Sequence, residues 1–196
     1  MSAAEVHHAT GFLLEKTCKD HSKVVIHFVS GDLAKYYAEP FRGKIEVFES
    51  HSAVSKKVRK KILQSFESAE RGVLFTAGLS PATLPCKGVS AVILIGLPSS
   101  AKDAKQLLDF VTRCGKELAP VTAYLLAATF EAEILSLLAD AQLVPADLKG
   151  YSAPLEEAPL HEKLVSKAYF TWLRHYGLHP TLSLSQKRLL VASARD

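Results

Sequence analysis

The chain has 196 residues, of which 48% are apolar and 22% charged, a balance that excludes a disordered tail and suits one globular domain with an appendage or two small units. A formal charge of +4 and a pI near 8.9 are mildly basic, short of a dedicated nucleic-acid binder. Cys18, Cys86 and Cys114 lie far apart without CxxC spacing, which argues against a disulfide framework or zinc site and for a reducing interior. No apolar run approaches the roughly 18 residues of a membrane span, and the N-terminus has neither a hydrophobic signal core nor an arginine before Arg42, so no membrane insertion and no obvious transit peptide are expected.

From Ser22 onward, apolar strands alternate with amphipathic helices. Lys23–Val29 is a nearly continuous β-branched run, the pattern of a strand buried on both faces of a parallel sheet. Ser30-Gly31-Asp32 offers a turn and an N-cap for a helix over Leu33–Glu39, stopped by Pro40. Ile45–Glu49 predicts a second strand, and Ser55 caps a helix to about Ala69 with Val58, Ile62, Leu63 and Phe66 on one face. Gly72–Ala77 and Ala91–Leu97 are further buried strands. A helix over Lys102–Arg113 has Leu107, Leu108 and Val111 on a shared face, and Val121–Ala127 is a fifth strand. Phe130–Ala141 predicts a helix burying Ile134, Leu135, Leu137 and Leu138. The pattern is α/β: a parallel sheet covered by helices on both faces.

After Gly150 the texture changes. Pro154 and Pro159 bracket a polar link, and Leu160–Tyr176 reads as an amphipathic helix with Leu164, Ala168, Trp172 and Leu173 on one stripe, ended by Gly177. A short helix over Ser185–Ala194 closes the chain. The expected division is an α/β domain over 1–150 and a helical extension over 151–196.

Three segments, in order, resemble the C-terminal RecA-like lobe of DEAD-box RNA helicases. His51-Ser52-Ala53-Val54-Ser55-Lys56-Lys57-Val58-Arg59, with Phe66 beyond, is similar to the family's HSxxxQxxR…F element. Gly72–Leu84 resembles the segment written GVLVTSDVSARGLD. Val92–Ser100 is similar to VIQIGLPSS, and Leu125-Leu126-Ala127 with Phe130-Glu131 to LLLAPFE. The likeness is best to the subgroup with a helical C-terminal extension, whose AYxxxLxxY stretch is similar to Ala168–Tyr176. The resemblance implies a RecA-like sheet and a surface that faces RNA.

The polar positions of these motifs depart from the family. Lys56 stands for the glutamine of QxxR, while Arg59 keeps the arginine. In the next motif the aspartates fall on Gly78 and Pro85, the arginine on Ala82, the glycine on Thr83 and an RNA-facing hydroxyl on Ala77. In HRxGRTxR the histidine becomes Gln106 and two arginines become Leu107 and Phe110; Arg113 alone matches. An arginine finger contributes about 10³–10⁵ in rate. These residues contain no GxxxxGK[ST] loop either, since Gly115-Lys116 lacks an upstream glycine at the right spacing. The expectation is a chain with no catalytic residue, cofactor or metal.

Five cations in six residues, Lys56, Lys57, Arg59, Lys60 and Lys61, crowd a helix N-terminus and oppose its macrodipole by roughly 0.3–1 kcal/mol each. They are candidates for RNA or acidic-partner contact, with His51 beside them. The alternative is a solvated face balanced by Glu46, Glu49 and Glu67. Leu164, Ala168, Tyr169 and Trp172 are candidates for packing or interface, the alternative being that Trp172, Tyr169, Phe170 and Tyr176 stack on bases. Arg113 could meet an anion or simply suit a helix C-terminus, and Cys86 and Cys114 read as plain residues. The function expected is a non-catalytic, helicase-derived docking subunit of a larger protein assembly, mitochondrial or ribonucleoprotein. It is weighed against the C-terminal half of a divergent ATP-dependent RNA helicase and an ATP-independent RNA-binding accessory protein. The mitochondrial matrix is the expected location, otherwise the cytoplasm or another reducing interior.

Overall fold

A computed structural model describes residues 3–116, 120–126, 131, 138, 162–180 and 182–193. Five strands, β1 (Lys23–Phe28), β2 (Val47–His51), β3 (Gly72–Ala77), β4 (Ala91–Ile95) and β5 (Thr122–Leu126), form one all-parallel sheet in the order β2-β3-β1-β4-β5. The continuous β-branched runs explain the parallel pairing, because β1, β3 and β4 are apolar on both faces and both faces are covered. α2 (Gly31–Ala38) packs on one face, where Leu33, Ala34 and Ala38 join Val24, Ile26, Phe28, Phe75 and Ile93. α3 (Lys56–Ser68) and α4 (Ala101–Gly115) cover the other, where Phe66, Leu107 and Phe110 meet Val25, Leu74 and Val92. The expected sheet, and helices on both its faces, are present.

Several boundaries differ from the sequence reading, each for a local reason. Within Ser30-Gly31-Asp32 the cap of α2 is Ser30, whose Oγ accepts from Leu33 N at 3.3 Å, so the helix starts at Gly31 rather than Leu33 and Asp32 falls in its first turn. Ile45 makes only an isolated bridge with Arg42, so β2 begins two residues late at Val47. β4 stops at Ile95 because Gly96 turns to φ +83°. Val58 is 46% exposed, which narrows the apolar face of α3 to Ile62, Leu63 and Phe66.

An N-terminal helix, α1 (Ala3–Asp20), is absent from the sequence reading. His7-His8, Thr10 and Gly11 are weak helix formers that disguise it. Its Ala9, Leu13 and Leu14 are fully or almost fully buried on the α2 face of the sheet. The extension forms α5 (Glu162–Gly177) and α6 (Leu184–Ser193). The expected helix over 130–141, the 150/151 boundary, the Pro154–Pro159 link and Leu160 lie outside the described residues, save Glu131 and Leu138. No helix among the described residues is long and apolar enough to cross a membrane.

α5 lies against α2 and the sheet. Ala168 is 3% exposed, within the core shared with the sheet, and Trp172 packs, partly buried, against that core and a smaller one around Leu97 and Tyr176. Leu164 is half-buried. Tyr169, grouped with them from sequence, is 41% exposed: it stands one residue, about 100°, round the helix from the Ala168–Trp172 stripe. Phe170 is 67% exposed. Polar contacts reinforce the docking. Thr171 Oγ1 donates to Asp32 Oδ2 at 2.9 Å, and the Tyr176 hydroxyl donates to Glu131.

Candidate nucleic-acid interface

β2 ends at His51, and the following turn delivers Ser55, whose Oγ accepts from Val58 N at 3.4 Å and starts α3. That geometry projects Lys56, Lys57, Lys60 and Lys61 into solvent, with Arg59 half-buried. None of the five takes part in an ion pair among the described residues. Of the three local carboxylates that could balance them, one is claimed elsewhere and none lies within ion-pair distance of them. Glu49 binds Arg42, and Glu67 acts on Lys23, whose Nζ donates to the Glu67 carbonyl at 3.0 Å. α3 also has no acidic residue in its first turn. The cations therefore face an unfavourable dipole with no ion pair among the described residues, a cost that an incoming anion would relieve.

His51 is 8% exposed, under α2 rather than on the surface. A Cβ on Gly31 would come within 3.1 Å of its Nδ1, so the absence of a side chain there lets the ring approach the helix N-terminus. Burial holds its pKa below the ordinary imidazole value; Asp32 pulls it up, while Lys35 and Arg59 push it down. A buried ring of this kind stays neutral at neutral pH and contributes no charge to the basic face.

The carboxyl ends of the sheet carry the other degenerate motifs. A cleft of about 370 Å³ opens there, lined by Gly78, Ser80, Ser99, Asp103, Gln106 and Leu107, with His27 and His175 also on its walls. It stands at the mouth of a parallel sheet, where α/β folds bind ligands. Leu107 and Phe110 are 5% and 1% exposed and lie in the core between α4 and the sheet, so neither offers the cleft a donor. Gln106 meets Ser80, whose Oγ donates to Gln106 Oε1 at 3.4 Å. Beneath the cleft, Ser50, Thr76 and His27 sit side by side on β2, β3 and β1. Ser50 Oγ, Thr76 Oγ1 and His27 Nδ1 are buried without a hydrogen-bond partner.

Arg113, the one matching arginine of its motif, is occupied by neighbouring groups of the lobe. Its Nη2 donates to Pro81 O and Leu84 O, both at 3.0 Å, its Nη1 to Ala82 O at 3.1 Å, and its Nε to Cys86 Sγ at 3.0 Å. It pins the short 3-10 turn Pro81–Thr83 to α4. Cys86 and Cys114, distant in sequence, meet beside it, and burial pushes the Cys114 thiol well up from its usual value. Arg113→Ala is expected to cost about 2–4 kcal/mol, because charge-assisted bonds contribute about 1.5–3 kcal/mol each and three of these go to partly hydrated carbonyls. Denaturant melts of the variant check this, and a loss under about 0.5 kcal/mol would leave Arg113 a surface residue.

Sequence reasoning missed His27, His175 and the Glu131–Tyr176 pair. His27 carried a signal, as the one polar side chain amid Val24-Val25-Ile26 and Phe28. The other three owe their positions to the docking of the extension.

No protein-family profile matches the chain. Among curated proteins it is 31% identical over 86 residues to the mitochondrial ATP-dependent RNA helicase MSS116 of Phaeosphaeria nodorum, covering 44% of this chain and 15% of that one. It is 26% identical over 140 residues to the probable DEAD-box ATP-dependent RNA helicase 48 of Arabidopsis thaliana, covering 68% and 17%. Among solved structures, domain 2 of the DEAD-box helicase Mss116p bound to an RNA duplex superposes with a TM-score of 0.61 at 18% identity, over 100% of this chain and 77% of that one. The C-terminal domain of the DEAD-box protein Dbp5 gives 0.54 at 17%, over 68% and 81%. The fold is that of a DEAD-box helicase C-terminal domain. The expected RecA-like architecture is thereby borne out, and the chain spans about 15–17% of the length of the curated relatives it matches. In this lobe, the expected phosphate-facing helix is α3, and the expected arginine positions are the buried Leu107 and Phe110.

Proposed function

We propose that this helicase lobe works without turning over nucleotide, as a docking module of a larger ribonucleoprotein or mitochondrial assembly, and that it engages RNA phosphates through the basic face of α3. The observation that carries the reading is the contrast between two parts of the lobe. The five α3 cations have no ion-pair partner among the described residues, while Leu107 and Phe110 lie in the core. A protein stays folded on a margin of only about 5–15 kcal/mol, so a lobe that keeps its apolar framework while its polar motif positions change is retained for its surface. The solved relative bound to an RNA duplex and the mitochondrial relative support the RNA and the compartment respectively.

Two outcomes test it. The purified chain is expected to release no phosphate from ATP above a heat-denatured control, with or without RNA. Reversing Lys57, Lys60 and Lys61 to glutamate together is expected to weaken RNA binding and to flatten its salt dependence, since each lost phosphate contact removes about 0.9 from the logarithmic salt slope. The melting temperature should hold or rise slightly, because acidic residues suit that end of a helix. Wild-type RNA affinity in the triple variant would make the basic helix a solvated face only.

The lengths of the curated relatives favour a second reading, in which these residues are the C-terminal part of an ATP-dependent helicase. The mass of the native gene product, followed by the same hydrolysis assay on it, separates the two.

A further inference from the structure

The docking of α1 and α5 on α2 encloses a cavity of about 180 Å³ on the face of the lobe opposite the basic helix α3. Five aromatic side chains, Tyr36 and Tyr37 from α2 and Tyr169, Trp172 and Tyr176 from α5, line it together with aliphatic residues of the sheet and of α2 and α5. Two of the hydroxyls are drawn off by α1, where His7 Nδ1 lies 2.7 Å from the Tyr37 oxygen and Nε2 3.3 Å from the Tyr36 oxygen. Trp172 and Tyr176 meet edge to face at 5.5 Å. The lining also includes the carboxylate of Glu131, 2% exposed, which accepts from Leu97 N at 3.2 Å and from the Tyr176 hydroxyl. Burial and the negative charge of Glu131 together hold the Tyr176 phenol well above its ordinary pKa.

We propose that this cavity is a binding site for a small alkylated ammonium ion. Several aromatic rings around one carboxylate is the arrangement that recognises such cations: the ring faces supply negative potential, and the desolvated methyl groups fill apolar space. The size fits one head group, since an apolar cavity of about 150 Å³ takes a guest as large as benzene, whereas drug-sized ligands need about 300 Å³ or more. The carboxylate decides the sign. An anion would be repelled, and a neutral guest would gain no charge–charge attraction from Glu131. Tyr169, 41% exposed, stands where the guest would enter.

Trp172 is the only tryptophan of the chain and reports on its own cavity. Choline titrated into the 196-residue chain, against sodium chloride at matched ionic strength, should change its fluorescence saturably. The uncharged isostere 3,3-dimethylbutan-1-ol should bind at least about tenfold more weakly, the ratio expected when one desolvated cation–π contact is lost. Glu131→Gln should weaken choline by a similar factor and leave the alcohol unchanged. Should that variant fold poorly, Tyr169→Leu, at an exposed position, should weaken choline more than the alcohol. Equal affinity for choline and the alcohol would overturn the proposal, leaving an apolar gap that does not read charge. So would the absence of any saturable response to choline, or choline affinity unchanged in both variants.

Discussion

Gly96→Ala is expected to destabilise the chain by about 2–4 kcal/mol and to lower its melting temperature by about 5–15 °C. Gly96 ends β4 at φ +83°, a backbone conformation that strains any side chain. Its own surroundings add a collision: a Cβ there would lie 2.6 Å from the Tyr176 hydroxyl and 2.6 Å from Val29 Cγ1. Tyr176 cannot retreat, being 1% exposed with its hydroxyl on Glu131. The glycine of the IGLP segment thus does two jobs. It turns the chain out of the sheet, and it admits the tyrosine by which the extension grips the lobe. Chemical denaturation measures the loss, and Tyr176→Phe in the Gly96→Ala background should recover part of it by removing the hydroxyl that the Cβ meets. If Gly96→Ala melts within about 0.5 kcal/mol of the parent, β4 and α5 are less tightly coupled than these distances imply.

The sheet was legible because its signal is local. Val24-Val25-Ile26, Val73-Leu74-Phe75 and Val92-Ile93-Leu94 are each buried on both faces, and a run of apolar β-branched residues declares that without reference to the rest of the chain. The basic helix was legible for the same reason: Ser55 and the five cations that follow are a cap and a charge run on one helix. What balances those charges was not legible. Glu49 seemed available from sequence, yet a residue seven positions away, Arg42, claims it through the fold. Arg113 shows the same limit from the other side. Its motif position suggests an anion, but its fork is filled by carbonyls 29 to 32 residues away in sequence. The aromatic cavity is assembled from α1, α2 and α5, and no spacing within one segment could have revealed it. Long-range pairing decides the chemistry of side chains here, while short-range pattern decides only where the elements run.

Acid is expected to unfold this chain through two histidines, with stability falling by about 3–5 kcal/mol between pH 6.5 and 4. Burial drives the pKa of His27 from 6.5 down to about 4, and its Nδ1 has no hydrogen-bond partner to offset the loss of water. Burial, with His179 nearby, takes His175 down to about 4 as well, although the Leu97 backbone pulls the other way. His51 and His179 are shifted in the same direction. A group whose folded pKa is depressed binds its proton more readily when unfolded. Above about pH 6.5 neither state is protonated and the full stability is present. As the pH falls toward 4 the unfolded chain takes up protons that the folded chain refuses, at about 1.4 kcal/mol per unit for each histidine. Glu49, held above its ordinary value chiefly by burial, works the other way and offsets part of the loss. Urea midpoints measured across this range give the slope. His27→Phe replaces the ring with an apolar one of similar size in an apolar strand, so it should remove one histidine's share of the slope while leaving stability at pH 7 close to that of the parent. His175→Phe should do the same at the extension. A slope unchanged in both variants would place the acid sensitivity elsewhere, in the carboxylates of the surface.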